Sequence, residues 1–307
     1  MNTNSSNLAV AYMAAFIFIL LMVAAAIIFQ DAEIILPEIA AMAVALWVWR
    51  EKGWMRQPEK IFILPSLTAL VGFGINLLEI SYISKIIIVL VLMLVVMQLL
   101  QYSLAPALAT GLLPIVTNAT HFSFLAAIFV TTFMLMLGVY LLKLNEGVSQ
   151  EAPLKHKYML IYLLLHLVWI GIVVLAGYPQ MAIIPPVTVV VYEALHMPMY
   201  MRKMALKQIA VLTLSAVIGT VLFMALDNWL LIVALDMALI YGLLHLFQAR
   251  IPAAYAFPLL PFVFPAQFVP QLPYAAAVVS VFFFSLVFAY KTYEKQQNMK
   301  LQQQAAE

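Results

Sequence analysis

The sequence predicts an all-α polytopic membrane protein of about 12 transmembrane segments, built as two parallel six-segment repeats that include short proline-initiated helices. Three observations carry this: the composition, the placement of charge, and a spacing that recurs along the chain. Hydrophobic residues make up 66% of the 307 residues, charged residues 9%, and the mean hydropathy is +1.06. A soluble domain has roughly 45–50% apolar and about 25% charged residues. The formal net charge of +2 gives no sign of a nucleic-acid partner. Cysteine is absent, which excludes disulfides, thiolate metal sites, thiol catalysis and palmitoylation.

Taken in order, the segments begin with residues 8–29. No Lys or Arg precedes this run and no small-residue cleavage site follows it, so it reads as a retained helix and not a signal peptide. Further long apolar runs lie at 61–78, 85–101, 122–142, 158–177, 208–226, 229–247 and 268–290. Each is close to the roughly 17–25 residues that cross the hydrocarbon as a helix. Between them sit four shorter segments led by proline: 34–49, 104–118, 183–196 and 251–264. Proline suits the first turn of a helix, where the missing N–H has no intrahelical partner anyway. These four therefore read as helices that begin at or below the membrane surface.

Charge placement favours a crossing by every segment. With the N-terminus inside, the inner stretches hold Arg50, Lys52, Arg56, Lys60, Lys143, Lys155, Lys157, Arg202, Lys203, Lys207, Arg250, Lys291, Lys295 and Lys300, leaving only Lys85 of the 15 cationic side chains outside. Asp31, Glu33, Glu79 and Asp227 fall on the outer side. This satisfies the positive-inside rule and places both termini in the cytoplasm, an inner bacterial membrane being the economical location. The resulting division is a first membrane repeat over 1–145, a cytoplasmic linker over 146–157, a second repeat over 158–290 and a cytoplasmic tail over 291–307. Paired re-entrant loops in both halves remain the alternative to twelve crossings.

The halves superpose along the sequence. Pro37 matches Pro186, Lys60 matches Lys207, Gly72 matches Gly219, Gln98 matches His245, Gln101 matches Gln248, Pro106 matches Pro252 and Pro114 matches Pro261, at offsets of 146 to 149 residues. Six segments per half is an even number, so both halves enter the membrane in the same sense. Transporters recurrently carry such repeats, with sites where the repeats meet.

The run PALATGLLP at 106–114, the loop RQPEK at 56–60 leading into LTALVG at 67–72, and the Pro37-led segment 34–46 resemble the HPP family of integral membrane proteins. The likeness covers roughly residues 30–125 and, more faintly, 180–265. It departs at the family's His-Pro-Pro, which is Leu104-Ala105-Pro106 here and Arg250-Ile251-Pro252 in the second copy. The resemblance implies transport of a small anion, with nitrite the activity associated with plastid members.

The residues suggest how. The first N–H groups of a helix carry about half a positive charge in sum and bind anions without a basic side chain. Pro37, Pro106, Pro186 and Pro252 would direct four helix starts at one centre, with the small residues Ala107, Thr110, Gly111 and Ala253 allowing close approach. The opposing reading makes the prolines plain loop-to-helix boundaries. Gln98 and His245 are polar positions that the repeat supports, either lining the route or bonding helices together. Of the acids, Asp236 and Glu193 are the expected proton-coupling groups. A buried, hydrogen-bonded Asp236 is the plainer reading, and Glu38 reads as a helix-dipole partner near the outer surface.

No HExxH, GxSxG, Walker or CxxC spacing occurs, so no catalytic residues, cofactor or metal are expected. The expectation is a transporter of a small anion, nitrite-like or a small carboxylate, with proton coupling open. An anion channel and a non-catalytic membrane subunit or scaffold of a larger complex are the alternatives. The partners expected are the lipid bilayer and the small anion, with a homodimer left open.

Overall fold

The computed structural model describes residues 5–148 and 154–304. Residues 149–153 of the expected linker, and 305–307 of the tail, lie outside the described residues. Among the described residues the chain is helical throughout, with no strand. Eight helices are long and apolar enough to cross a bilayer. They are α1 (Ser5–Phe29), α3 (Glu59–Asn76), α4 (Tyr82–Leu99), α6 (Phe122–Leu141), α7 (His156–Leu175), α9 (Arg202–Ala225), α10 (Trp229–Leu246) and α12 (Leu272–Gln304). Each falls on one of the long apolar runs. Their outer faces expose large apolar side chains such as Leu21, Val95, Leu164 and Leu239. This is the surface a multi-pass membrane protein presents to lipid and a soluble protein avoids.

The proline-led segments are helical too, but short and central. They are α2 (Pro37–Ala43, continued by a π turn at Val44–Val48), α5 (Pro106–Val116), α8 (Pro185–His196), and a series of 3₁₀ turns from Pro252 that ends in α11 (Leu260–Val263). At 1.5 Å per residue, the 11 residues of α5 reach about 17 Å, well short of the roughly 30 Å hydrocarbon core. All of α2 and α5 is buried, and in α8 only Glu193 and His196 are partly open. Each short helix follows a non-helical arm that is itself buried: Ile35 and Leu36, Leu104 and Ala105, Ile183 and Ile184, and Ile251. Irregular backbone at such depth survives only inside protein and with its polar groups satisfied. Accordingly Ile35 N–H donates to Ala32 O at 3.0 Å and Leu36 N–H to Met22 Sδ at 3.4 Å.

The long helices form two groups around these elements. α3 packs against α4, α5 and α6, while α9 packs against α10, α12 and the turns at Phe257–Leu259. Glycine sets the closest approaches. A Cβ on Gly72 would overlap the carbonyl of Gly111, and one on Gly219 would overlap Pro258 Cα. Beside the first contact, Thr68 and Thr110 hydroxyls lie 2.7 Å apart. The groups meet through α1 on α10 and α4 on α7.

Helix ends are capped locally. Ser81 Oγ accepts from Ser84 N–H to start α4, and Asn228 Oδ1 accepts from Leu231 N–H to start α10. Both helices stop alike: Tyr102 N–H returns to Met97 O and Ala249 N–H to Leu244 O, with Gln101 and Gln248 at φ +50° and +47°. These glutamines are therefore left-handed terminating residues. Gln101 Nε2 turns back to donate to Gln98 O at 2.7 Å.

The arm before α2 is latched to the start of α6. Asp31 accepts from Ser123 Oγ at 2.5 Å and from Glu33 N–H at 3.0 Å, and His121 Nδ1 lies 3.1 Å away. Glu33 accepts from Thr120 and His121 N–H, both at 2.9 Å. Partial burial pushes the Asp31 carboxyl up, but the Ser123, Glu33 and His121 contacts outweigh it and hold it below the usual aspartate range. A depressed folded value means that the latch stabilises above the unfolded aspartate pKa, about 3.9, and is lost as pH falls through the lower folded one. Thermal unfolding in detergent should thus show a steeper loss of Tm below about pH 4 in the unmodified protein than in Asp31→Asn. Parallel curves would remove Asp31 as the acid-sensitive tie.

Candidate functional site

Four short elements close a ring. α2 touches α5, α5 touches α8, α8 touches the turn Pro252–Tyr255, and that turn touches α2. At the centre of the ring lies a cavity of about 10 Å³, room for about one water. Its wall includes Pro37, Pro106, Pro185, Pro186 and Pro252. The four starts do meet, because each is preceded by an arm buried inside the protein. Ala41, Ala109, Val189, Ala253 and Ala256 complete most of the wall.

The first-turn backbone of these helices is largely satisfied within the protein. A helix that starts in the protein interior exposes N–H groups with no water to satisfy them, and proline has none. Most of the remaining first-turn donors are bonded one turn back: Ile39 to Leu36 O, Ala107 to Leu104 O, Leu108 to Ala105 O, Val187 and Thr188 to Ile184 O, and Ala254 to Ile251 O. The cavity is thereby lined by pyrrolidine rings and small apolar groups instead of a crown of donors. Its polar chemistry comes from two carboxyl groups, Glu38 and Glu193, with no cationic side chain in the wall. Glu38 is 4% exposed, and its carboxyl has no hydrogen-bond partner on any other residue. Glu193 is less enclosed. Trp54, in the turn Lys52–Trp54 of the basic connection between α2 and α3, reaches the cavity from that side. Tyr102 Oη holds it by donating to Trp54 O at 3.2 Å.

α8, which carries Glu193, is fixed from two directions. Ser103 Oγ donates to Tyr192 Oη at 3.1 Å from the arm of α5. From α12, the 7%-exposed Lys291 donates to Leu195 O at 3.2 Å and pairs with Glu294 at 3.1 Å, and Glu294 also pairs with Lys157 at 2.9 Å. The start of the expected tail is thus packed structure.

The candidate residues from the sequence divide by location. Pro37, Pro106, Pro186, Pro252, Ala253 and Glu193 come together at the cavity. Ala107, Thr110 and Gly111 are buried in α5 but not in its wall: Thr110 donates to Ala107 O and faces Thr68, and Gly111 sits against Gly72 and Met93. Gln98 is half-buried near the end of α4, and His245 is exposed near the end of α10. Asp236 is fully buried in α10 away from the cavity, and both its carboxyl oxygens lack partners, contrary to the hydrogen-bonded reading. Among the described residues no cluster of His, Asp and Glu could hold a metal. No protein-family model, curated protein or solved structure matches the chain.

Proposed function

We propose that the protein is a membrane transporter of HPP-like build that carries a small anion together with a proton through the central cavity. The observation that carries this reading is the meeting of four helix starts at one small cavity with two carboxyl groups and no cation. A bare anion would be repelled there if either acid were ionised. A carboxylate with no partner is itself an expensive charge to bury. An acid that gains a proton as the site fills, and loses it as the site opens, removes both costs. The bound species is then electrically equivalent to the neutral acid of a nitrite-like ion or a small carboxylate.

The same proposal includes two parallel six-segment repeats, each short helix making one crossing together with its buried arm. Two features support it. Cavity positions recur in pairs, Pro37 with Pro185, Glu38 with Pro186, Ala41 with Val189, Pro106 with Pro252 and Ala109 with Ala256. The contacts are also reciprocal: α1 on α10 answers α4 on α7, and α2 on the 252–255 turn answers α5 on α8. The pairing of Pro37 shifts by one residue from that read in the sequence, because α8 starts at Pro185.

Liposomes holding a pH dye test the proposal. Addition of nitrite, formate or acetate should acidify the lumen saturably, above the leak of the free acid into protein-free liposomes. Conductance without saturation would favour a channel. No flux of any of these ions above the leak would favour a membrane subunit.

A further inference from the structure

The ring is pseudo-symmetric, but the two surfaces beyond it are not. α5 and the 252–263 segment both lead from the central cavity to the end of the bundle that carries Asp31, Glu79 and Asp227. At that end, a cleft of about 390 Å³ opens beside Asn76, Tyr82, Lys85, Asn118 and Gln180. Lys85 is the one cation outside the basic stretches. Its ammonium donates to Asn76 O at 2.5 Å and lies 3.4 Å from Asn76 Oδ1. An ammonium has three donors, so capacity for a ligand remains.

The positions 147 residues on are aromatic or aliphatic. Asn76 becomes Phe223, Tyr82 becomes Trp229, Lys85 becomes Ile232 and Ile115 becomes Phe262. Phe262 packs edge-on against Phe223 and Trp229 at centroid distances of 5.0 and 5.2 Å. Ile232 and Phe262 are buried. One half therefore has a cleft with a positive charge at Lys85, whereas the matching positions of the other pack as an aromatic cluster and the cleft of about 610 Å³ beside Trp229 carries the acid Asp227.

We infer that the Lys85 cleft is the external mouth of the route to the central cavity and that it gathers small monovalent anions. The inference rests on the transport reading above for its destination, but its test does not need flux. Steric access would run past Gln180 and along α5. Lys85 would raise the local concentration of anions, as a charge in a low-dielectric cleft does.

The absence of cysteine permits single-thiol probes in an otherwise unchanged full-length protein. At Gln180→Cys, a negatively charged methanethiosulfonate should react faster than a positively charged one of similar size. That preference should fall about three- to fivefold with Lys85→Gln, survive Lys85→Arg, and fade in high salt. A preference unchanged by Lys85→Gln would overturn the role of Lys85. Should Lys85→Gln not fold, the salt dependence with Lys85 intact and survival of the preference in Lys85→Arg read the same charge, and a preference that high salt leaves unchanged would overturn it. At Ala109→Cys, in the cavity wall, the negative reagent applied outside should react about tenfold more slowly when Gln180→Trp is added. It should react as before when Ala32→Trp is added on the opposite side. Slowing by Ala32→Trp instead, or no reaction from outside in any variant, would overturn the mouth. A labelling pattern as expected with no flux in liposomes would leave the mouth standing and remove the carrier reading.

Discussion

Glu38→Gln is expected to reduce net acid uptake into liposomes by at least about tenfold, the equivalent of about 1.4 kcal/mol in the barrier, while the protein stays folded. Glutamine keeps the shape of the side chain and a carbonyl to accept, but it cannot release a proton. The substitution should therefore separate two processes. Net uptake of anion with proton is lost, whereas exchange of labelled for unlabelled anion, which needs no net proton movement, persists. Stability should change little, because the Glu38 carboxyl has no partner on another residue to lose and glutamine keeps a carbonyl oxygen for its own N–H. Glu38→Met removes two buried polar atoms from an apolar wall and should stabilise the fold by about 1 kcal/mol. Uptake unchanged in Glu38→Gln would transfer the coupling role to Glu193 or to Asp236, the other fully buried acid without partners.

Gly72→Ala should be among the most damaging single-methyl substitutions in the chain. The added carbon would overlap the backbone carbonyl of Gly111, and backbone cannot rotate away as a side chain can. Overpacking costs about 1–3 kcal/mol or more, and here α3 and α5 would have to separate. Because α5 carries Pro106 and Ala109 into the cavity wall, that separation reaches the site. Gly219→Ala should behave alike through Pro258. Gly74→Ala and Gly242→Ala are the controls, since nothing lies within 4 Å of the added carbon. They should be neutral or stabilise by up to about 1 kcal/mol through helix propensity. Thermal unfolding in detergent reads all four, and a Tm for Gly72→Ala equal to that of Gly74→Ala would show that the weld yields.

Much of the framework was legible because the signals are local. Run length alone placed the eight long helices, and a proline at a first turn placed the starts at Pro37, Pro106 and Pro252. Depth was not legible. Ile34-Ile35-Leu36 is as apolar as a helix would be, so nothing in it marks a non-helical arm diving to the centre. Glu38 therefore read as a surface carboxylate, although the structure buries it in the cavity wall. Thr110 and Gly111 read as small residues near a ligand, but the same smallness serves helix packing, and only the position of α3 distinguishes the two. Gln101 and Gln248 hid their role for a different reason. Left-handed termini favour glycine or asparagine, so a glutamine there carries no sequence mark. Lys291 looked like one more solvated charge because its partners Leu195 and Glu294 include a backbone carbonyl far away in sequence.

Under the proposed two-repeat build, the ring of four short elements has a genealogical consequence. Its wall is shared across both halves, so a chain with only one half has no complete cavity until a second copy joins it about the same axis. Such an ancestor would carry every acid twice, face to face, and every mouth twice. Joining two copies into one polypeptide frees the halves to drift apart. In the proposed alignment Glu38 is matched by Pro186 and Lys85 by Ile232. What a symmetric pair must duplicate, such a fusion would assign once: the first half holds the more deeply buried acid of the cavity, Glu38, and the Lys85 cleft, while the second supplies Glu193 and the aromatic cluster.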